Sequence, residues 1–394
     1  MMSLISLLQK PSRVVAGLMS GTSLDGIDVT LARLSGSGAS LNIEVLHVYT
    51  CNYPQAIRDA LLRNSLPDQP ASVREICQLN ALLPVLYEEA LRAALSEAGL
   101  QPQDLDLIGS HGQTIHHVPQ PEAIAGRETV STLQIGDASV LANRMGVPVV
   151  ADFRPADMAL GGQGAPLVPY LDYVMFTHPA ENRGLQNIGG IGNIAVLRKN
   201  GKPEDVRAFD TGPGNMIING LMQALFQMPW DPNGTYAARG TVQENLLTEW
   251  LSDPWYAAPP PKSTGREVYN ETFIHRLIQE NPHLAPEDLL ATATMFTART
   301  IHTAYTRFIA PVTPLDVLIV SGGGIHNQTL MHMLADAFAS IPVRTLDAYN
   351  VSADGKEALC FAVLAHEYLN EQPTNLPSVT GASRPALLGK LALP

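Results

Sequence analysis

One pattern occurs twice in this sequence: an apolar run, a glycine-containing polar turn and a second apolar run. The first copy spans residues 14–34 around a turn at 20–26, and the second spans 185–197 around Gly189 and Gly190. Each copy predicts a β-hairpin whose turn exposes backbone N–H groups. Such a turn is either an ordinary tight hairpin or a cradle for phosphate. Because the pattern opens each half of the chain, we expect a duplicated ATPase.

The rest of the chain shows strand and helix patterns in a similar order in both halves. A third strand is predicted at 41–49, a long helix at 72–99, and a helix at 216–228 after the second hairpin. Pro84 is expected to kink or divide the long helix because it cannot donate to the preceding turn. The segment 230–264, dense in proline and glycine, is expected to be irregular or a lid. Together these patterns predict an α/β fold of mixed sheets flanked by helices.

The length of 394 residues predicts two domains, each with enough volume for its own core. We expect these domains at 1–150 and 151–394, with the boundary within 148–169. The second domain would then contain the second hairpin and a final helix at 356–368.

Charge and composition disfavour several classes of protein. The formal net charge of −12 disfavours a nucleic-acid backbone or an anionic membrane as the main partner. A bound polyphosphate would have to be met locally, by backbone N–H groups, Mg²⁺ and a few basic side chains. The cysteines are few and scattered, the first apolar run is too short for a signal peptide, and no run reaches the about 18 apolar residues of a membrane span. We therefore predict a cytoplasmic protein.

An aspartate follows a predicted strand at 206–209. Asp210 precedes a glycine-rich turn into a helix, and this turn contains Gly212 and Asn215. A carboxylate at that position reaches the crevice where α/β folds bind ligands, so it could act as a general base. It could equally cap the turn or the following helix. In a duplicated cleft fold we favour the base, with Gly212 and Asn215 beside the substrate.

A second glycine-rich turn, at 321–327, also lies between a predicted strand and a helix. Gly322, Gly323 and Gly324 would let the backbone approach a flat ligand such as adenine and its ribose. The alternative is a flexible loop. We predict that this turn binds nucleotide, with Asn327 as a further contact.

Several polar residues of the first half could contact a sugar. Gln113 and Thr114 follow a short predicted strand at 105–109, and Arg154 and Gln163 lie on either side of a short glycine-containing stretch. We predict that these four residues bind a polar substrate, although Arg154 and Gln163 could instead belong to a hinge between domains.

Two other polar segments are less informative. His111, His116 and His117 are spaced without a convincing third metal ligand, so no metal site is predicted there. The segment 262–267 could contact phosphate or stabilise a lid, and its sequence does not decide between the two.

Taken in order, these motifs resemble those of the anhydro-N-acetylmuramic acid kinase family, which belongs to the sugar kinase/Hsp70/actin superfamily. The resemblance spans nearly the whole chain. The matching motifs are Gly17-Leu-Met-Ser-Gly-Thr-Ser-Leu-Asp-Gly26, Ser110-His-Gly-Gln-Thr114, Gly161-Gly-Gln-Gly-Ala-Pro166, Asn187-Ile-Gly-Gly190, residues 209–215, Lys262-Ser-Thr-Gly-Arg266, Ser321-Gly-Gly-Gly324, and Glu357-Ala358 with Phe361-Ala362.

The resemblance implies two actin-like, ribonuclease H-like domains that close on ATP. It also implies an enzyme that uses the anhydro sugar released when bacteria turn over their peptidoglycan. One active site would open the 1,6-anhydro bridge with water and phosphorylate O6, giving N-acetylmuramic acid 6-phosphate. The resemblance assigns active-site roles to Asp210 and Glu357. It suggests a homodimer, for which the helix at 72–99 is a candidate interface.

The resemblance also places the ATP-binding segment on the first hairpin. The expected contacts there are Gly21, Thr22, Ser23, Leu24, Asp25, Gly26, Ile27 and Asp28. The second hairpin is expected to contribute Gly189, Gly190 and Asn193. Asp25 and Asp28 are candidates to hold Mg²⁺, through water.

One departure from the family pattern concerns recognition of the sugar. Typical members carry a run of arginines after Asp-Phe, whereas here Arg154 is followed by Pro155 and Ala156. Loss of an arginine could weaken recognition of the lactyl carboxylate. Levoglucosan kinase opens the same bridge in a sugar that lacks this group, so it is an alternative. The segment 161–163 and the compact length favour the muramic acid enzyme.

An alternative from another class is an actin- or Hsp70-like ATPase that changes conformation for a protein partner. It would hydrolyse ATP slowly whether or not an anhydro sugar is present. It would also need a peptide-binding part, and two ATPase domains use up the 394 residues.

Overall fold

The computed structural model describes residues 4–21, 24, 26–66, 70–265, 267–349 and 355–394. In this part of the chain, strands and helices are arranged around two β-sheets.

The described strands and helices are numbered in chain order. The strands are β1 (Ser12–Ser20), β2 (Gly26–Ser35), β3 (Asn42–Asn52), β4 (Leu107–Ile124), β5 (Arg127–Ile135), β6 (Val149–Ala151), β7 (Arg183–Ile188), β8 (Ile191–Leu197), β9 (Arg207–Pro213), β10 (Val317–Ser321), β11 (Val343–Thr345) and β12 (Lys390–Ala392). The α-helices are α1 (Leu4–Leu8), α2 (Gln55–Ser65), α3 (Val73–Glu97), α4 (Ala138–Met145), α5 (Pro155–Met158), α6 (Val168–Phe176), α7 (Asn215–Leu221), α8 (Glu244–Leu251), α9 (Pro254–Ala257), α10 (Glu271–Glu280), α11 (Pro286–Ala304), α12 (Gln328–Phe338), α13 (Lys356–Leu369) and α14 (Pro377–Thr380). None of the described helices has the length and apolar character needed to cross a membrane.

The two sheets share five strand positions. The strand order is β12-β6-β4-β1-β2-β3 in the first sheet, with β5 paired to β4, and β11-β10-β7-β8-β9 in the second. In each sheet three consecutive strands form an antiparallel meander. Two later strands then extend the sheet in parallel from the first strand of the meander. The predicted α/β fold class is confirmed: the described residues form two mixed sheets, each flanked by helices.

The division of the chain into units differs from the predicted domains 1–150 and 151–394. One unit contains Met1–Met175 together with Asp354–Pro394, and the other contains Phe176–Ala353. The end of the chain belongs to the first unit because α13 packs on β1, β2 and β4, and β12 pairs with β6.

Two glycines allow α13 to lie directly on the first sheet. A Cβ added at Gly17 would be 1.8 Å from the carbonyl oxygen of Ala358, and one added at Gly109 would be 2.0 Å from that of Phe361. Leu18 points to the opposite face of the sheet, because side chains alternate along a strand, and joins a core that contains residues of α3. The first sheet is therefore covered by helices on both faces.

In the second unit, α11 packs on β9 and on α12. Ile301 of α11 and Leu334 of α12 share a buried core with Ile194 and Leu318 of the second sheet. This core supports the strand ends and turns that carry the candidate site residues of this unit.

Three local predictions can be refined. Helix α3 is continuous through Pro84, so of the two expected outcomes, a kink or a division, the division is wrong. The segment 230–264 contains α8 and α9 as well as irregular turns, so it is not wholly irregular. The short strand predicted at 105–109 is the start of the much longer β4, whose hairpin partner β5 was not predicted.

Candidate active site

Asp210 lies within β9, near its end, opposite Asn193 of β8. Its Oδ2 atom accepts a 2.9 Å hydrogen bond from the backbone N–H of Thr264. The backbone N–H of Asp210 in turn donates to the carbonyl oxygen of Lys262, at 3.1 Å. These two bonds attach both the backbone and the carboxylate of Asp210 to the segment 262–264.

The surroundings raise the pKa of Asp210 from 3.8 to about 6. Burial is the main cause, because it removes water from the charged carboxylate. The hydrogen bond from the N–H of Thr264 lowers the pKa, and the negative charge of Glu267 raises it further. A carboxyl group with a pKa near 6 is mostly ionised at neutral pH and is a better proton acceptor than an ordinary aspartate. It has the properties required of a general base.

Lys262 is held by aromatic rings. Its Nζ atom lies 4.2 Å from the ring centroid of Trp255 and 4.8 Å from that of Phe308. It also donates to the carbonyl oxygen of Trp255 at 3.1 Å, while the indole Nε1 of Trp255 donates to the carbonyl oxygen of Ser263 at 3.3 Å. Burial, together with the charge of Arg307, lowers the pKa of Lys262 to about 8. Trp255 and Phe308 therefore anchor the segment that holds Asp210.

The turn between β7 and β8 is attached to the start of α7. The backbone N–H of Asn215 donates to the carbonyl oxygen of Gly189 at 2.7 Å, and that of Gly214 donates to Gly190 at 2.8 Å. A Cβ at Gly214 would come within 2.3 Å of the Gly189 oxygen, so this approach requires glycine there. The predicted phosphate turn thus occupies a fixed position beside the N-terminus of α7.

The structure places Asn215 next to the glycine-rich turn at 322–324. Its Nδ2 atom donates to the carbonyl oxygen of Ile188 at 3.2 Å. A Cβ at Gly322, where φ is +79°, would lie 2.8 Å from the same oxygen, and a Cβ at Gly324 would clash with the Ile188 side chain. Asn215 was predicted to contact the substrate. The structure places it beside the turn at 322–324, which was predicted to bind nucleotide.

A cavity of about 500 Å³ opens at this place in the second unit. It is lined by Asn215, Ile218, Asn219, Trp230, Asp231, Pro232, Asn233, Gly323, His326 and Asn327. The residues from 230 to 233 were not predicted as site residues, because their sequence carries only turn signals. An indole, amides and a backbone glycine beside one cavity suit a flat, polar heterocycle.

Two predicted contacts have structural roles as well. The Oδ1 atom of Asn327 accepts from the backbone N–H of Leu330 at 2.9 Å and so caps α12. Gly212 has φ of +135°, and a Cβ there would lie 3.1 Å from the Tyr256 ring and 3.2 Å from Thr300. Both residues are therefore required by the fold independently of any ligand.

The first hairpin turn is described in part. The predicted contacts Thr22, Ser23 and Asp25 lie outside the described residues. Leu24 is buried, and Gly21 accepts a 3.0 Å hydrogen bond from Nε2 of Gln113 through its carbonyl oxygen.

The start of β2 contains the rest of that segment. Gly26 faces the carbonyl oxygen of Cys51, which a Cβ would approach to 2.1 Å, and Ile27 belongs to the core. Asp28, on the same strand, accepts a 2.7 Å hydrogen bond from Oγ1 of Thr50.

Gln113 and Thr114 lie in β4. Gln113 is fully buried and joins β4 to the first hairpin turn through its bond to Gly21. Thr114 accepts a 3.3 Å hydrogen bond from Nε2 of Gln134 on β5. Gln113 therefore has an evident role in placing the first turn, whether or not it also contacts substrate.

Arg154 and His111 are directly bonded in the first unit. Arg154 donates to Nε2 of His111 from Nη2 at 2.8 Å and from Nε at 3.2 Å, and its Nη1 donates to the carbonyl oxygen of Gly164 at 2.7 Å. Gln163, next to Gly164, has an exposed side chain and donates its backbone N–H to the carbonyl oxygen of Thr380. The glycine-rich segment therefore serves to fix the guanidinium.

Glu357 lies in the first turn of α13, where its side chain is exposed. Its charge is close enough to Arg154 to act on the pKa of that guanidinium. The preceding residue, Lys356, is buried and pairs with Asp172 of α6 at 2.5 Å. A buried ion pair therefore fixes the start of the helix that carries Glu357.

Over the described parts of the chain, no group of three or more His, Cys, Asp or Glu side chains is arranged to hold a metal ion. The two Mg²⁺ candidates from the sequence are Asp25, which is outside the described residues, and Asp28. In Mg²⁺ sites that also contain phosphates and water, the protein commonly supplies only one or two carboxylates. Asp28 fits that requirement.

The described residues thus belong to the class of α/β proteins with two units, each built on a mixed sheet. A family model described as anhydro-N-acetylmuramic acid kinase matches residues 13–393. The chain therefore belongs to the anhydro-N-acetylmuramic acid kinase family, and it is a kinase.

Curated relatives agree with this assignment over their full length. An anhydro-N-acetylmuramic acid kinase of Salinibacter ruber is 49% identical over 394 residues, covering 100% of this chain and 99% of the relative. One of Caldanaerobacter subterraneus is 42% identical, covering 99% of each. One of Bacillus cereus strain Q1 is 43% identical over 384 residues, covering 96% of this chain and 99% of the relative.

The similarity to solved structures is lower. Component A of the (R)-2-hydroxyglutaryl-CoA dehydratase of Acidaminococcus fermentans is 10% identical, with a TM-score of 0.45, and covers 91% of this chain and 99% of its own. A ROK family glucokinase from Streptomyces griseus is 10% identical, with a TM-score of 0.39, and covers 90% of this chain and 99% of its own.

Proposed function

We propose that this kinase uses ATP and water to convert 1,6-anhydro-N-acetylmuramic acid into N-acetylmuramic acid 6-phosphate, as a step in the recycling of peptidoglycan. The observation that carries this proposal is Asp210, a partly buried carboxylate with a pKa near 6 that is bonded to the N–H of Thr264. The named relatives support the substrate, since each is called an anhydro-N-acetylmuramic acid kinase.

In this proposal Asp210 is the general base for ring opening. It takes a proton from a water molecule as the water oxygen attacks C1 of the sugar. The bond between C1 and O6 breaks, and its electron pair goes to O6. O6 then attacks the γ-phosphoryl group of ATP, and ADP leaves. Proton removal by a placed base is worth about 10²–10⁴-fold in rate.

Glu357 and Arg154 are proposed to bind the sugar. Arg154 is fixed by His111 and Gly164, and the charge of Glu357 is close to it. An arginine presents paired N–H groups to a carboxylate, and the lactyl group of the muramic acid sugar supplies one. Glu357 would bind a hydroxyl or the amide N–H of the same sugar.

ATP is proposed to bind at the glycine turns. The cavity beside Asn215 and Gly323 would take the adenosine part, and the turns at Gly21 and Gly189 would donate backbone N–H groups to the phosphates. Charge neutralisation of this kind, with positioning, is most of what a phosphoryl transfer needs. Mg²⁺ would neutralise phosphate charge, held through water by Asp25 and Asp28. Because the reaction consumes ATP, we propose that it takes place in the cytoplasm.

The decisive experiment is to identify the product made by the purified protein. It is incubated with ATP, Mg²⁺ and 1,6-anhydro-N-acetylmuramic acid in oxygen-18 water, quenched early and analysed by mass spectrometry. We expect a sugar 6-phosphate with one labelled oxygen on C1 and none in the phosphate. Preformed product in the same water controls for exchange at C1. Label in the phosphate, or no sugar phosphate, would contradict the proposal.

A parallel assay with levoglucosan tests the alternative substrate. The replacement of the expected arginine run by Pro155 and Ala156 favours that alternative. A strong preference for levoglucosan would overturn the choice of the muramic acid sugar. ATP hydrolysis that is indifferent to both sugars would instead indicate a conformational ATPase. The homodimer remains a prediction, which the mass of the protein in solution will test.

A further inference from the structure

The protonation state of His111 follows from the groups that face its ring nitrogens: the backbone of Gly112, the backbone of Ser20 and the guanidinium of Arg154. Its Nδ1 atom lies 2.7 Å from the carbonyl oxygen of Gly112, which can only accept, so Nδ1 carries the proton. Its Nε2 atom faces the guanidinium of Arg154, which can only donate. Nε2 is therefore unprotonated and accepts, and the imidazole is neutral.

The neutral form of His111 is strongly favoured by its surroundings. The ring is buried and packs against Phe361 of α13, with ring centroids 4.7 Å apart. Burial and the charge of Arg154 lower the pKa of His111 to about 3. His111 therefore remains an acceptor over the whole physiological pH range.

His111 occupies the edge of the guanidinium formed by Nε and Nη2, and Gly164 accepts from Nη1. Three of the five N–H groups of an arginine are thereby used. The remaining two, one on Nη1 and one on Nη2, have no acceptor among the described residues. Two N–H groups on one end of a guanidinium match the two oxygens of a carboxylate.

We infer that His111 is a positioning residue that fixes Arg154 for a carboxylate on the sugar, and that this pair makes the enzyme select acidic anhydro sugars over neutral ones. The inference rests on the proposed function, since it assigns the lactyl carboxylate to Arg154. His111 acts only through Arg154 and does not touch the sugar. A single arginine held in this way can take over the role of the longer arginine run that the family pattern leads one to expect.

Two substrates and three variants test this inference. The substrates are 1,6-anhydro-N-acetylmuramic acid and its primary amide, which keeps the shape of the lactyl group and removes the charge. The variants are His111→Leu, His111→Gln, in which the amide oxygen can still accept from Arg154, and His366→Leu as a matched control. His366 is also a buried histidine that faces an arginine, with Nδ1 3.4 Å from Nη1 of Arg13, and it has no contact with Arg154.

We expect wild-type enzyme to prefer the acid over the amide by at least about tenfold in KM, the value of one charge-assisted hydrogen-bonded contact. His111→Leu should raise KM for the acid by about tenfold, leave KM for the amide within about twofold, and leave kcat for both unchanged. His111→Gln should restore much of the preference. His366→Leu should lower the melting temperature without changing the ratio of the two KM values.

Three results would overturn the inference. The first is wild-type enzyme that uses acid and amide equally well. The second is an equal loss for both substrates in His111→Leu, which would show a merely structural role. The third is a loss of preference in the His366→Leu control as large as that in His111→Leu. Wild-type enzyme that phosphorylates neither sugar would instead refute the proposed function, so the two failures can be told apart.

Discussion

The backbone N–H of Thr264 donates a 2.9 Å hydrogen bond to the carboxylate of Asp210. This bond stabilises the charged form, whereas burial and the charge of Glu267 favour the protonated form. The balance sets the pKa of Asp210 near 6, low enough for the group to be ionised at neutral pH.

The first prediction concerns the pH dependence of catalysis. A general base must be unprotonated, so kcat/KM should be full above pH 7 and fall with unit slope as the pH drops through about 6. Glu267→Gln removes a negative charge that raises the pKa of Asp210, so the midpoint should move to lower pH by a few tenths of a unit. Initial rates from pH 4.5 to 9 check this. If kcat/KM of Glu267→Gln still falls near pH 6 with an unchanged midpoint, the fall is due to the titration of a group other than Asp210.

The second prediction concerns the stability of the unliganded protein. Burial raises the pKa of Asp210 in the folded state to about 6, above the unfolded value of about 3.9, so ionisation of this group costs stability. The cost grows as the pH rises from about 4 to about 6 and is constant at higher pH. Asn at this position cannot ionise. Asp210→Asn should therefore be more stable than wild type by about 2 kcal/mol at pH 8, with the difference vanishing near pH 3.5. Chemical denaturation at both pH values measures this, and a variant less stable at pH 8 would contradict it.

The third prediction concerns Lys262, whose role the sequence leaves open between phosphate binding and a structural contact. If Trp255 and Phe308 hold Lys262 so that Thr264 can bond Asp210, then Lys262→Met should raise the apparent pKa of the base. We expect the acidic midpoint of kcat/KM to move up by about 0.5–1 unit, with KM for ATP unchanged. A large rise in KM for ATP would instead indicate contact with phosphate.

Two variants serve as controls for that experiment. Lys262→Arg keeps a cation over the rings and should retain most of the wild-type profile. Lys199→Met removes an exposed lysine of the same unit and should change neither the midpoint nor KM.

The fourth prediction concerns the packing of α13 on the first sheet. In Gly17→Ala the new Cβ would meet the carbonyl oxygen of Ala358 at 1.8 Å, and backbone atoms cannot rotate away as a side chain can. We expect a loss of about 3 kcal/mol or more in the free energy of unfolding. Gly190→Ala is the control, because its Cβ would meet only the flexible end of Met216, at 3.1 Å. Equal melting temperatures for the two variants would refute this account of the contact.

Sequence reasoning predicted those parts of the fold that depend on local pattern. The meander strands and α12 were predicted because their residues alternate or recur at helical spacing over a few turns. The membership of α13 in the first unit could not be predicted in this way. It depends on contacts such as that between Gly17 and Ala358, which are far apart in the chain, and a helix pattern does not indicate which sheet the helix covers.

In the candidate site, too, residues with a local sequence signal were predicted and residues defined by distant contacts were not. Asp210 was predicted because a carboxylate after a strand and before a glycine-rich turn is a local signal. Its partner Thr264 was not, because the donor is a backbone N–H that any residue could supply. His111 was considered only as a metal ligand, since the sequence does not show that Arg154 lies against its ring. Residues that act through other residues can be identified only once the structure is known.

The most direct test of the central claim is the turnover of Asp210→Asn with ATP and 1,6-anhydro-N-acetylmuramic acid at pH 8, alongside ATP binding measured by calorimetry. The account predicts nearly unchanged ATP affinity and a rate below about a tenth of wild type, since a general base contributes about 10²–10⁴-fold. A variant that binds ATP normally and keeps more than about a tenth of the wild-type rate would show that Asp210 is not the base.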